Sequence, residues 1–110
     1  MKKYILLIGM VLLASSSAMA ASHTSTVNWI YALSSGSFIL TFKTNSTQCT
    51  NSSTPQYYYV ESGKNGVTAE GIKMIYSAAL SGGATQKPVT INFDESSSAC
   101  YVNRLSVDFQ

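Results

Sequence analysis

The stretch from Gly66 to Phe93 reads GVTAEGIKMIYSAALSGGATQKPVTINF and holds the clearest structural signals in the chain. Thr68 is a good N-cap residue, and Glu70 follows in the first turn, where the helix dipole favours an anion. Gly82 and Gly83 predict that the helix ends there in a left-handed conformation. Apolar residues between these signals recur with helical spacing and predict one buried helix face. That face consists of Ile72, Ile75, Tyr76 and Ala79.

The helix leads into a strand over residues 88–93, where Pro88 fits only at the strand start. Alternation of apolar and polar residues predicts four further strands. They cover residues 26–33, 38–43, 56–61 and 100–109. The order is therefore β-β-β-α-β-β, which is mainly β with one helix (α+β). It is the order of an OB-like five-stranded barrel, with the helix plugging one opening.

The alternation also predicts which side chains share a face. Residues 26–33 are expected to place Val27, Trp29, Tyr31 and Leu33 together, so that Trp29 belongs to the core or to a subunit contact. Asn103 interrupts the inward pattern of residues 100–109 and predicts a bulge. The inward residues of that strand are expected to be Tyr101, Leu105, Val107 and Phe109.

The N-terminus has the features of a secretory signal peptide. Lys2 and Lys3 precede a short apolar run, and Ala18-Met19-Ala20 is a small-x-small cleavage site. We therefore expect a signal peptide over residues 1–20 and one domain over residues 21–110, secreted or periplasmic, with residues 21–25 frayed. A retained membrane anchor is the alternative, but no longer apolar run follows, so no membrane insertion is expected after cleavage.

Removing the signal peptide leaves five basic and five acidic residues, because two of the seven lysines and arginines are Lys2 and Lys3. A neutral chain lacks the basic stripe of nucleic-acid-binding proteins, so no nucleic-acid partner is expected. A surface rich in Ser, Thr, Asn and Tyr suits uncharged partners such as glycans, although an inert secreted domain has the same composition.

Two cysteines, Cys49 and Cys100, remain in the mature chain. In an oxidising compartment such a pair most simply forms one disulfide, and two free or intermolecular thiols are the alternative. The closed loop would contribute about 4 kcal/mol in the chain-entropy model. The spacing excludes a CxxC redox site.

Residues with catalytic potential do not form a recognisable constellation. The single histidine, His23, falls in the segment expected to fray, and a nucleophile needs a positioned base. Asp94 and Glu95 are adjacent in a turn, where they are expected to be solvated. We therefore expect no enzyme activity, no metal site and no cofactor; a cryptic enzyme is the least favoured alternative.

Three consecutive tyrosines are the candidate ligand-binding residues. On a strand, Tyr57 and Tyr59 share one face, where their rings could stack on a sugar and their hydroxyls bond to it. The alternative is that strands simply favour tyrosine and that Tyr58 at least is core.

Several of these residues also carry a resemblance to known proteins. A cysteine precedes a short aromatic strand, a helix of the form Gly-x-x-x-Ile/Leu-x-x-Ala-x-x-x-Gly follows, and a second cysteine opens the last strand. The matching residues are Cys49, Tyr57-Tyr58-Tyr59, Gly71 to Gly82, Lys87-Pro88-Val89-Thr90 and Cys100. This pattern resembles a set of small exported bacterial proteins and the receptor-binding B subunit of subtilase-cytotoxin and pertussis-like toxins.

The toxin resemblance implies an OB-fold that assembles as a homopentamer with helices around a central pore and binds sialylated glycans. No glycan-contacting residue is carried over from it. We expect a non-catalytic binding module whose ligand is a carbohydrate. The alternative is a small periplasmic inhibitor or immunity-type protein that binds another protein through an edge strand or loop.

Overall fold

A computed structural model describes residues 20–110, so the signal peptide predicted over residues 1–20 lies outside the described residues, apart from Ala20. The described chain has five strands and one helix in the order β-β-β-α-β-β, as the sequence predicts. The elements are β1 (Ala20–Ala32), β2 (Phe38–Phe42), β3 (Tyr58–Val60), α1 (Ala69–Thr85), β4 (Pro88–Asp94) and β5 (Val102–Val107).

The strands form one antiparallel sheet in the order β3-β2-β1-β4-β5. Its centre is the long strand β1, whose first half pairs with β4 and whose second half pairs with β2. The prediction that residues 21–25 fray is wrong, because every residue from Ala20 to Thr26 has a partner in β4. The start of β1 is polar over Ser22–Ser25, so it is ordered by backbone pairing with β4 and not by burial of apolar side chains.

The two edge strands, β3 and β5, do not pair with each other in the described chain, so the sheet is open and not a closed barrel. β3 has only three residues and pairs with β2 alone. A single backbone hydrogen bond, from the Tyr59 amide to the Ala99 carbonyl at 3.1 Å, links β3 to the segment before β5. The fold is a small α+β domain with a five-stranded antiparallel sheet.

A β-bulge in β1 reverses the direction of the side chains halfway along the strand. Val27 pairs with Phe42 and Trp29 pairs with Thr41, so that Asn28 is the extra residue. Val27 is therefore buried in the core, whereas Trp29 is 56% exposed. The prediction of one shared face for Val27 and Trp29 is wrong, because the period of two does not continue through a bulge.

The predicted bulge at Asn103 is confirmed. Asn92 pairs with Arg104 and Phe93 with Val102, which leaves Asn103 unpaired. The bulge makes Val102 a fully buried residue and moves Tyr101 out of the core, contrary to the prediction for Tyr101.

Leu105 and Val107 pack against the core as predicted. Phe109 lies beyond the end of β5 and is largely exposed, so its predicted inward position is also wrong.

Helix α1 covers the inner face of the sheet. Thr68 is its N-cap, as predicted, and the Thr68 hydroxyl accepts a hydrogen bond from the Gly71 amide at 3.0 Å. The predicted apolar face is confirmed: Ile72 and Ala79 are buried, and Ile75 and Tyr76 pack against the core. The inward residues of β4 that they help to cover are Val89, Ile91 and Phe93.

The end of the helix differs from the prediction. Helix α1 continues through Gly82 and Gly83 to Thr85, and Gln86 is the left-handed C-cap with φ 56°. Gly82 has a packing role instead, because a Cβ there would lie 2.5 Å from Cγ1 of Val89. Without side chains at these positions, the helix can approach β4 and β1 closely.

A long polar loop between β2 and β3 is fixed from two sides. The predicted disulfide between Cys49 and Cys100 is present, with their Cα atoms 5.8 Å apart, and it ties this loop to the start of β5. The fully buried Tyr58 hydroxyl accepts a hydrogen bond from the Ser46 amide at 2.9 Å and donates one to Oε1 of Gln56 at 2.6 Å. Gln56 in turn donates to the Cys49 carbonyl at 2.7 Å.

The two adjacent helix glycines predict opposite responses to alanine. Gly82→Ala places a methyl group inside the contact with Val89 and should lower the free energy of unfolding by about 1–3 kcal/mol. Gly83→Ala meets only Val27 at 3.6 Å, an ordinary contact, and should be neutral or stabilise the protein by up to about 1 kcal/mol. Urea denaturation of both variants tests this, and equal destabilisation would contradict the close-packing role of Gly82.

The buried hydroxyl of Tyr58 predicts a second stability effect. Tyr58→Phe leaves the Ser46 amide and the Gln56 side-chain oxygen without this partner, which should cost about 1–3 kcal/mol although the ring is retained. Thermal denaturation measures the loss. Tyr76→Phe is the matched control. The Tyr76 ring packs edge-on against Phe38, so removal of the Tyr76 hydroxyl should change the thermal stability little.

Candidate functional site

A continuous row of aromatic side chains crosses the outer face of the sheet. We call it the aromatic strip and define it as Trp29, Tyr31, Tyr57, Tyr59 and Tyr101. Successive ring centroids lie 5.6, 5.5, 6.2 and 6.3 Å apart in that order. Adjacent rings are tilted or edge-to-face, the arrangements that aromatic pairs prefer.

Three separate parts of the chain supply the strip. Trp29 and Tyr31 come from β1 after its bulge, Tyr57 and Tyr59 from the segment around β3, and Tyr101 from the residue just before β5. Between them lies Ile39 of β2, which pairs with Tyr31 on one side and Tyr59 on the other. Ile39 belongs to the outer face yet is only 7% exposed, because side chains opposite each other on one face cover their neighbours.

The surroundings of the Tyr31 phenol favour its uncharged form. The pKa of Tyr31 is raised above its ordinary value, mainly because the phenolate would lose solvation there, and further by the charge and the hydrogen bond of Tyr57. At the far end, the Lys64 ammonium lies 5.7 Å from the centre of the Tyr101 ring, in the range of a cation–π contact. Neutral hydroxyls can both donate and accept hydrogen bonds beside flat apolar rings.

The two candidate residues predicted from the sequence lie together in this strip. Tyr57 and Tyr59 are half-buried neighbours on the outer face, and Tyr58 between them is a core residue, as the alternation predicts. Trp29, Tyr31 and Tyr101 are also surface partners in the strip, although the alternation in the sequence places them towards the core. The direction of these side chains depends on the bulges at Asn28 and Asn103. Only the bulge at Asn103 is predicted by the sequence, because Asn103 interrupts the apolar pattern of its strand.

The residues with catalytic potential, His23 and Asp94, make hydrogen bonds within the fold. His23 is a paired residue of β1: its Nε2 atom lies 2.7 Å from the Thr44 carbonyl, and its ring stacks on Tyr58. The Asp94 carboxylate accepts hydrogen bonds from the Ser96 hydroxyl and amide, which hold the pKa of Asp94 below its ordinary value. Across residues 20–110, no three His, Cys, Asp or Glu side chains cluster as metal ligands.

Comparison with protein-family models, with curated proteins and with solved structures gives no significant match to this chain. Within the part of the chain that the structure describes, no helix has the length and apolar character needed to cross a membrane.

The contact between Tyr31 and Tyr57 predicts a measurable titration. Tyr57→Phe removes the neighbouring phenol and should lower the pKa of Tyr31 towards its ordinary value, but not fully, because desolvation is the largest cause of the shift. Tyrosine-selective ¹³C NMR titration of the two proteins measures the change. Tyr59→Phe serves as the control and should leave the titration of Tyr31 unchanged; an equal effect of both variants would contradict the direct contact.

Proposed function

We propose that this protein is a non-catalytic secreted or periplasmic binding module whose ligand is a carbohydrate. The aromatic strip is the observation that carries the proposal. It gathers five aromatic side chains on one outward face, Trp29 exposed and the four tyrosines half-buried, and a contiguous aromatic surface that is still open to solvent commonly marks a binding site. The Cys49–Cys100 disulfide supports a location in an oxidising compartment.

The chemistry of the strip favours sugars over purely apolar ligands. Four of its five members are tyrosines, which present an apolar ring face together with a polar hydroxyl. A pyranose ring has the complementary pattern, with C–H groups on its faces and hydroxyls around its edge. The formal neutrality of residues 21–110 suits an uncharged ligand, because the domain has no net charge to attract a strongly ionic one.

The architectural part of the proposal is an OB-like barrel of the toxin B-subunit type. The sheet order β3-β2-β1-β4-β5 would become cyclic if β3 and β5 met, and the Tyr59–Ala99 hydrogen bond and the disulfide already hold the segment before β5 close to β3 and to the loop that precedes it. A homopentamer belongs to the same proposal. The exposed Met74 and Leu80 on α1 are apolar side chains that such an assembly could cover.

A glycan array tests the carbohydrate proposal. Labelled wild-type protein should bind a subset of glycans, and Tyr57→Ala and Tyr59→Ala should each weaken that binding by about tenfold or more, as loss of a central aromatic contact does. Tyr57→Phe retains the ring and should lose less. The variants should keep the wild-type circular dichroism spectrum, because both side chains lie on the outer face of the sheet.

Phe109→Ala is the matched control, since Phe109 is an exposed aromatic residue that belongs to none of the ring pairs of the strip. It should bind glycans as the wild type does. A wild-type protein that binds no glycan on a broad array, at a concentration where avidity would reveal weak sites, would refute the proposal.

A further inference from the structure

A groove that shares no lining residue with the aromatic strip lies between the β1–β2 turn and the first turns of α1. It consists of two adjoining depressions of about 320 and 350 Å³, a volume typical of ligand sites. Leu33, Ser37 and Ile72 line both depressions. Tyr76 and Ser77 lie at one end, and Glu61 lies at the other.

The groove has a fixed wall and an exposed apolar centre. The β1–β2 turn is closed by hydrogen bonds between the backbones of Leu33 and Ser37 and between those of Gly36 and Leu33. Leu33 is 40% exposed although the turn around it is ordered. Below it, Ile72 and the Tyr76 ring are anchored in the core. A ligand therefore meets a preformed surface and costs little ordering of the protein.

The two ends of the groove carry charged side chains that differ in whether they have an ion-pair partner. Lys73 lies at the Tyr76 end, but Glu70 is 3.5 Å away on the same helix and matches its charge. Glu61 at the opposite end is half-buried, and none of the basic side chains within residues 20–110 lies at ion-pair distance from its carboxylate. An apolar centre beside an unpaired carboxylate is complementary to an apolar group linked to a cation.

We propose that this groove binds a peptide segment of a partner protein in which a large apolar side chain stands next to a lysine or arginine. The apolar side chain occupies the centre over Leu33 and Ile72, and the basic side chain pairs with Glu61. A polypeptide supplies these two groups side by side along an open groove. The site does not depend on the carbohydrate proposal and uses none of the residues of the aromatic strip.

Methyl NMR of the disulfide-bonded protein tests the proposal with defined probes. The probes are three acetylated and amidated tetrapeptides, Gly-Leu-Lys-Gly, Gly-Leu-Glu-Gly and Gly-Ser-Lys-Gly. The Leu–Lys peptide should shift the methyl signals of Leu33 and Ile72. It should bind about tenfold more tightly than the Leu–Glu peptide, as expected for one charge-assisted hydrogen bond, and more tightly than the Ser–Lys peptide.

Three variants locate the site. Glu61→Gln keeps the shape of the side chain and should abolish the difference between the Leu–Lys and Leu–Glu peptides. Ser77→Trp should fill one depression and prevent the shifts of the Ile72 methyl groups. Ser81→Trp, one helical turn further along the exposed side of α1, is its matched control and should bind as the wild type does.

Three outcomes would overturn the proposal. The first is the absence of Leu33 and Ile72 shifts at millimolar Leu–Lys peptide, and the second is equal binding of the Leu–Lys and Leu–Glu peptides by the wild type. The third is a shift of the groove methyl groups by array-selected glycans instead of peptides, which would make the groove part of a carbohydrate site.

Discussion

The bulge at Asn28 is the constraint on which the two faces of the domain depend. Before it, β1 pairs with β4; after it, Trp29 and Tyr31 point away from the core while Ile30 packs inward. The Trp29 amide donates to the Thr41 hydroxyl at 3.0 Å, so a side chain of β2 supplies a partner where the ladder is disturbed. One inserted residue thus converts two aromatic side chains from core candidates into surface groups.

The disulfide and the hydrogen bonds of the buried Tyr58 position the other side of the strip, where Tyr57 and Tyr59 lie. Residues 45–57 contain too little apolar surface to order themselves, and their backbone would lose entropy on ordering without compensation. Cys49 fixes this loop to Cys100, while the hydrogen bonds of Tyr58 and Gln56 fix it to the core. Tyr57 and Tyr59 stand directly beside these anchors, so their positions depend on the ordered loop.

Regular periodicity made most of the fold predictable. The element order, the face of α1 around Ile72, the inward residues of β4 and the disulfide follow from spacing, caps and composition. Three features cannot be predicted in this way, because each depends on partners that are distant in sequence. They are the open sheet, the pairing of residues 20–26 and the position of Trp29. Gly82 likewise matched a helix stop signal, whereas contact with Val89 is what requires glycine there.

The distribution of aromatic residues is itself an argument for function. A domain of this size has little core to spare, and burial of each large aromatic side chain would contribute about 1.5–3 kcal/mol. The outer strip nevertheless keeps Trp29 exposed and four tyrosines half-buried, while Tyr58, Phe38, Phe42 and Phe93 fill the core. The cross-link between Cys49 and Cys100 helps to offset that loss. A ligand on the strip, as the carbohydrate proposal requires, would bury the rest of these ring faces and recover part of this contribution.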